Sequence, residues 1–139
     1  MATDWNTHLG ELGIPLKTEE PMSRHTTFRI GGPAEYYACP RNPEEVAALA
    51  AACRRQGIPG FVLGRGSNLL VGDGGIPGLT MAMEGLATVT IEGDCVRAEA
   101  GATLSAVCIA ARDAGLTGLE FAYGIPGQVG GGVYMNAGA

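Results

Sequence analysis

Five residues, Gly64-Arg65-Gly66-Ser67-Asn68, combine types that suit an anion, and the apolar Phe61-Val62-Leu63 delivers them. Two glycines flanking one residue let backbone N–H groups close on a ligand without a Cβ in the way. Ser67 and Asn68 add side-chain donors, and Arg65 adds positive charge. The pattern is not a Walker phosphate loop, which needs Gly-Lys-Ser/Thr. Nor is it a dinucleotide G-x-G-x-x-G, because Leu69-Leu70-Val71 does not open a helix. An ordinary tight turn uses the same residues, so the local pattern leaves both readings open.

Residues 124–139 form the second candidate, Gly-Ile-Pro-Gly-Gln-Val-Gly-Gly-Gly-Val-Tyr-Met-Asn-Ala-Gly-Ala. Pro126 followed by small residues can start a helix whose backbone approaches a flat ring, with its positive end near a negative atom. Close helix–strand packing demands the same glycines. Asn136 carries both donor and acceptor and is the best candidate for reading a polar edge, with Gln128 next. Tyr134 and Met135 are expected in the core. A glycine-dense loop normally joins two packed elements, and no second wall follows Ala139, so the chain reads as truncated.

Other reactive side chains are read as structural. His25 with Arg24 and Arg29 has the look of a catalytic cluster, but it sits in no nucleophile motif, and no Ser-His-Asp or Cys-His arrangement is present. Cys39, Cys53, Cys95 and Cys108 are widely spaced, and the only histidines are His8 and His25. No metal site is expected from them; they read as small apolar residues in a reducing compartment. Glu84, Glu99 and Glu120 are isolated, Glu120 standing nearest the terminal glycines. The net charge of −5 and the scattered basic residues argue against nucleic acid. The apolar runs are too short and broken for a membrane span. The first residues lack the charge and apolar stretch of a secretory signal, which points to the cytoplasm.

The elements that must position these loops are legible in part. A charged share of 17% against 46% apolar residues predicts a packed core. Residues 1–24 read as a lead-in with one helix near 4–12. The loosely alternating 26–30 stops at Gly31-Gly32-Pro33, and residues 35–39 read as a strand. Asn42 can cap a helix that begins at Pro43, carries Glu44 and Glu45 in its first turn, buries Val46, Leu49, Ala50 and Cys53, and ends at Gly57. Residues 61–63 then form a short buried strand, and 69–71 and 79–83 two more. Gly93-Asp94 joins residues 88–92 and 95–99 as a hairpin. Thr103 caps a second helix that buries Leu104, Val107, Cys108 and Ala111 and stops at Gly115. The segments starting at Gly57 and Gly115 echo each other faintly. Strands alternating with helices give an α+β or α/β class.

Three segments in register carry a family resemblance: Ser23-Arg24-His25-Thr26-Thr27-Phe28-Arg29-Ile30-Gly31-Gly32-Pro33-Ala34, Gly64-Arg65-Gly66-Ser67-Asn68-Leu69-Leu70-Val71, and Gly124-Ile125-Pro126-Gly127 through Asn136-Ala137-Gly138-Ala139. From about residue 15 onward the chain resembles the UDP-N-acetylenolpyruvoylglucosamine reductases, also called UDP-N-acetylmuramate dehydrogenases. That resemblance implies an α+β FAD-binding domain of the vanillyl-alcohol-oxidase (PCMH) type, with two α+β subdomains and the flavin between them. Residues 25–85 would form the first subdomain and 86–139 the start of the second, incomplete here, with the substrate-binding domain absent.

The resemblance further implies that 65–69 wraps the FAD pyrophosphate and that 125–137 lies against the flavin ring. The implied cofactor-binding residues are Gly64, Arg65, Gly66, Ser67, Asn68 and Leu69, then Gly124, Ile125, Pro126, Gly130, Gly131, Asn136, Ala137 and Gly138. In this family NADPH reduces FAD, which reduces the enolpyruvyl group of a UDP-sugar for peptidoglycan synthesis, cell wall biogenesis, and so cell shape and division. The chain departs from the usual pattern at Gln128, where Ser is common, and at Gly132, where Ala is common. The family's catalytic Arg, Ser or Cys, and Glu lie beyond residue 139, so no catalytic residue is assigned. The chain alone is expected to be inactive and to hold FAD weakly or not at all. No specific protein partner is implied. The alternatives are another FAD oxidoreductase of the same fold, such as a 2-hydroxy-acid oxidase, or a chain that folds without cofactor. Covalent flavin attachment through a loop histidine is disfavoured, since neither histidine lies in 64–68.

Overall fold

The helix that begins at Pro43 is written into the sequence at both ends. Asn42 accepts the Glu45 N–H through Oδ1 at 2.8 Å, and Gly57 takes the left-handed C-terminal position at φ 66°. A computed structural model describes residues 5–138, which divide at Gly85/Leu86 into two compact units.

In the first unit, α1 (Trp5–Gly10) precedes β1 (Leu16–Pro21), β2 (Pro33–Ala38), α2 (Pro43–Gln56), β3 (Gly60–Leu63) and β4 (Ile76–Ala82). The expected helix near 4–12 is thus shorter, and residue 4 lies outside the described residues. The sheet order is β1-β2-β4-β3, with β1 antiparallel to β2 and the other pairs parallel. β4 is central and buried from Gly78 onward, as expected of a parallel strand covered on both faces. On one face Leu49, Ala52 and Cys53 of α2 pack with Ala38, Leu79 and Met81, and Trp5, Ile14 and Met83 complete the cluster. A second cluster joins Met22, Ala34, Tyr37, Leu63, Val71 and Ala82. The β2–β4 register slips between Ala34/Ile76 and Tyr36/Leu79, and the Gly78 N–H at the slip donates to Glu35 Oε2 at 2.7 Å.

Several expectations for this unit change. β1 was not foreseen: its sequence, Leu-Lys-Thr-Glu-Glu-Pro, is a charged edge strand with only Glu20 buried. Residues 26–30 are a turn rather than an alternating strand segment, with Phe28 and Ile30 exposed. Residues 69–71 are not a strand, because their backbone lies against Gly31 and Gly32 instead of a ladder. β3 is buried only at Leu63, while Val62 is 59% exposed.

In the second unit, β5 (Val89–Glu92) and β6 (Cys95–Ala98) form the expected hairpin around Gly93-Asp94. α3 (Leu104–Asp113) is capped by Thr103, whose Oγ1 accepts the Ala106 N–H at 3.1 Å, and it buries Val107, Cys108 and Ala111. After Gly115 the echo of the first helix fails, since Glu120–Ala122 form a 3-10 turn where the first unit has a strand. The chain then enters α4 (Val129–Tyr134). Among the described residues no helix is long and apolar enough to cross a membrane.

Candidate functional site

The loop at 64–69 leaves β3 and turns at Gly66, whose φ of 66° is the left-handed region. Its position is set by the turn at 25–29. The Thr27 N–H donates to Gly66 O at 3.0 Å. A Cβ on Gly66 would collide with the His25 carbonyl oxygen and lie 2.9 Å from Thr26 Cα. One step further the two segments continue to match: Gly32 N–H donates to Gly72 O at 2.9 Å, and a Cβ on Gly31 would stand 2.7 Å from Val71 Cβ. Glycine is therefore required here by the neighbouring backbone. Arg65 and Asn68 are exposed and Ser67 is half-buried; none of the three bonds another described residue. Their donors remain available to an acceptor from outside the protein.

The turn rests on a polar cluster. His25 Nε2 donates to Glu20 Oε1 at 2.8 Å, and the Tyr37 hydroxyl faces His25 Nδ1 at 3.2 Å, the two rings stacking with centroids 4.4 Å apart. Lys17 Nζ reaches Glu20 at 3.5 Å and stands 5.8 Å from the Tyr37 ring centroid. The hydrogen bond from His25 holds the Glu20 carboxyl below the usual carboxylate range, with Lys17 and His25 charge adding to it against the cost of burial. Burial pushes the Tyr37 hydroxyl up. Both nitrogens of His25 are occupied, so it works as a brace for the turn.

In the second unit, residues 124–138 follow a different plan. The segment is tied to the start of α3 by an isolated bridge between Thr103 and Gln128, with Leu104 N–H donating to Gly127 O at 3.1 Å and Val129 N–H to Ala102 O at 2.8 Å. Gly130 N–H donates to Ala100 O at 2.8 Å, and a Cβ on Gly130 would lie 3.0 Å from that of Ala100. Gly132 faces Leu104, whereas a Cβ on Gly131 would meet nothing within 4 Å. The helix starts at Val129 with Gln128 at its N-cap, three residues later than a start at Pro126. Asn136 sits at φ 49°, where its N–H donates to Val133 O at 3.2 Å while Ala137 N–H donates to Gly132 O at 2.9 Å. This paired bonding is a Schellman cap, a backbone role that Asn tolerates better than most residues. Tyr134 and Met135, expected in the core, are 87% and 54% exposed, because the packed side of α4 is made by Gly130 against Ala100 and Gly132 against Leu104.

The residues present fit a flavin dinucleotide in two respects. Loop 64–68 offers unpartnered donors around a glycine-only turn, which a diphosphate can fill. Gln128 is 7% exposed, and its Oε1 has no hydrogen-bond partner, so the terminal segment holds a buried acceptor that a ligand donor can satisfy. The open side of Gly131 leaves room for a flat group. A shallow cleft of about 250 Å³ beside α3, lined by Cys108, Arg112, Leu116 and Glu120, contains none of the cofactor-binding residues expected from the sequence. Glu120 is engaged locally, accepting the Gly118 N–H at 2.8 Å. Among the described residues no three His, Cys, Asp or Glu side chains gather as a metal site. The part that sequence reasoning missed is the turn at 25–29 as the wall of the loop; the signal for it was the Gly31-Gly32 pair, read only as a breaker.

Three comparisons with known proteins show what the chain is similar to. The profile of a family described as FAD binding domain matches residues 34–139. A UDP-N-acetylenolpyruvoylglucosamine reductase of Clostridium perfringens (strain SM101 / Type A) is 48% identical over 124 residues, covering 89% of this chain and 41% of that protein. The crystal structure of UDP-N-acetylenolpyruvylglucosamine reductase from Thermus caldophilus superposes with a TM-score of 0.70 at 36% identity, over 91% of this chain and 43% of that one. A solvent-stable cholesterol oxidase, 20% identical with a TM-score of 0.59 over 75% of this chain and 21% of its own, shares the fold alone. The chain thus spans about two fifths of the length of the curated relatives it matches.

Proposed function

Since the chain belongs to the FAD binding domain family and has the α+β fold of the vanillyl-alcohol-oxidase (PCMH) type, we propose that it is the FAD-binding portion of an NADPH-dependent UDP-N-acetylenolpyruvoylglucosamine reductase. The observation that carries this reading is loop 64–68, braced from behind with its donors unpartnered, in a chain 48% identical to a reductase of that name. Backbone N–H groups and side chains of Gly64, Arg65, Gly66, Ser67, Asn68 and Leu69 hold the diphosphate. Gly124, Ile125, Pro126, Gly130, Gly131, Asn136, Ala137 and Gly138 line the flavin ring, and the missing Cβ atoms let backbone approach it closely. FAD, when bound, supplies the hydride relay between NADPH and the enolpyruvyl double bond of the UDP-sugar.

The division at Gly85/Leu86 supports assigning 25–85, together with β1, to a first FAD-binding subdomain and 86–139 to a second. Four free cysteines accord with the cytoplasm. No residue of the chain is given a proton to move, so the 139 residues alone turn over no substrate.

Titrating the chain with FAD while following flavin fluorescence tests the binding reading. Weak but saturable quenching is expected, and none at any attainable concentration would remove FAD as the ligand of this chain. The intact reductase is expected to oxidise NADPH only when the enolpyruvyl UDP-sugar is present. Oxidation indifferent to that sugar would refute the activity while leaving FAD binding standing.

A further inference from the structure

Three of the nine basic residues, Arg24, Arg29 and Arg65, lie on the two loops that the Thr27–Gly66 hydrogen bond joins. Residues 22–33 and 64–72 contain no carboxylate, although the chain as a whole carries a net charge of −5. All three arginines are exposed and none forms an ion pair among the described residues, whereas Lys17, Arg41, Arg97 and Arg112 each do. Arg54 and Arg55, also without ion pairs among the described residues, sit in the last turn of α2, where the helix dipole accounts for positive charge. No such local reason covers Arg29 or Arg65, and the 3-10 turn Met22–Arg24 that ends at Arg24 is too short to carry a comparable dipole.

The backbone at Arg29 reinforces the case. It is held at φ 55°, a region that disfavours a residue with a Cβ. Arg29 N–H donates to Thr26 O at 3.1 Å, and Thr26 Oγ1 donates to Ile30 O at 3.2 Å, so the turn is clamped in that form. Gly or Asn would occupy the position with less strain, and the arginine side chain makes no hydrogen bond or ion pair with a described residue. Phe28, Ile30 and Leu70 on the same two loops are 60%, 54% and 68% exposed, so the loops carry apolar surface as well as charge. Loops that carry both unpaired guanidiniums and exposed apolar side chains suit a phosphorylated organic ligand.

We propose that the turn at 24–30 is a second arm of the dinucleotide site, with Arg29, assisted by Arg24, supplying charge to a nucleoside diphosphate whose other side loop 64–68 holds. The proposal rests on reading that loop as a diphosphate site, and FAD is the intended source of the diphosphate.

The test is a titration of the ¹⁵N-labelled full chain at low salt with FAD, ADP, UDP and riboflavin, followed at the Thr27 and Gly66 amides. FAD and ADP should shift both amides. Arg29→Gln should weaken FAD and ADP about tenfold, the loss of one charge-assisted contact, and leave riboflavin, which has no phosphate, unchanged. Arg29→Asn, which suits the left-handed backbone, should give the same loss with a wild-type-like spectrum, and Arg54→Gln should give none. Added salt should shrink the difference. Both Arg29 variants binding FAD and ADP like the wild type would overturn the proposal while leaving the loop assignment intact. A loss confined to UDP would also overturn it. A wild-type chain whose Gly66 amide answers to no phosphate ligand would overturn the proposal together with the reading beneath it.

Discussion

Between residues 64 and 68 the buried glycine, Gly66, is pinned against backbone some forty positions earlier in the chain, and its φ excludes most other residues. Between 129 and 134 the glycines sit in a short helix, where one touches Ala100, one touches Leu104 and one touches nothing. The two segments look alike in sequence, yet one is glycine-rich because a second loop leans on it, and the other is only partly so. Glycines that packing does not require are the ones left for a ligand to explain. Gly131 is such a residue, and its open side supports the proposed flavin contact.

The comparison can be broken first at its strongest point. Gly66→Ala should destabilise the chain by about 3 kcal/mol or more, since left-handed strain and a backbone collision act together; urea unfolding measures it. A loss under about 1 kcal/mol would mean that the turn yields and is no wall.

The brace behind that wall gives the next effect. Glu20→Gln should cost about 2 kcal/mol near neutral pH, the scale of a hydrogen bond to a buried charged group. Because the folded-state pKa of Glu20 lies below its unfolded value, its stabilisation is present above the ordinary carboxylate range. It is lost as pH falls through the lowered value. Unfolding curves from about pH 7 to about pH 3 should therefore converge for wild type and variant at the acid end. Parallel curves would show that the carboxylate charge is not what steadies the turn.

The terminal helix is sharpened by two neighbouring changes of opposite sign. Gly131→Ala should stabilise by about 0.8 kcal/mol, since the new methyl meets open space and helix propensity improves. Gly130→Ala should lose about 0.5 kcal/mol net, because contact with Ala100 and strain on the Gly130–Ala100 hydrogen bond outweigh the same propensity gain. Equal signs would remove the distinction between packed and open glycines. If FAD binds, Gly131→Ala should weaken it even while stabilising the free chain.

Local chemistry made parts of this fold legible in sequence. Asn42-Pro43 and Gly57 bound α2, Thr103 opens α3, and Gly93-Asp94 folds the hairpin, each through bonds made within a few residues. Expectations failed where distant backbone decides. β1 is a strand because β2 offers it a ladder, which the charged stretch Lys17-Thr18-Glu19-Glu20 does not advertise. Leu69, Leu70 and Val71 read as a strand by composition, but Gly31 and Gly32 capture that segment. Of the candidate site, the glycine loop stands out in its own residues without being told from an ordinary turn, while the turn that shapes it and the exposure of Tyr134 do not show there at all.

The bond from Thr27 to Gly66 also has a consequence for how the unit forms. Closing a loop of about 40 residues is entropically unfavourable, so the shape of residues 64–68 depends on a contact far along the chain, with a turn that the pairing of β1 and β2 flanks. The chain emerges from synthesis with the brace first and the loop afterwards. The proposed binding surface is therefore as stable as the first unit's long-range contacts, and local unfolding of the turn at 25–29 would remove the loop's wall. Occupancy of the loop would then report completed folding of the first unit.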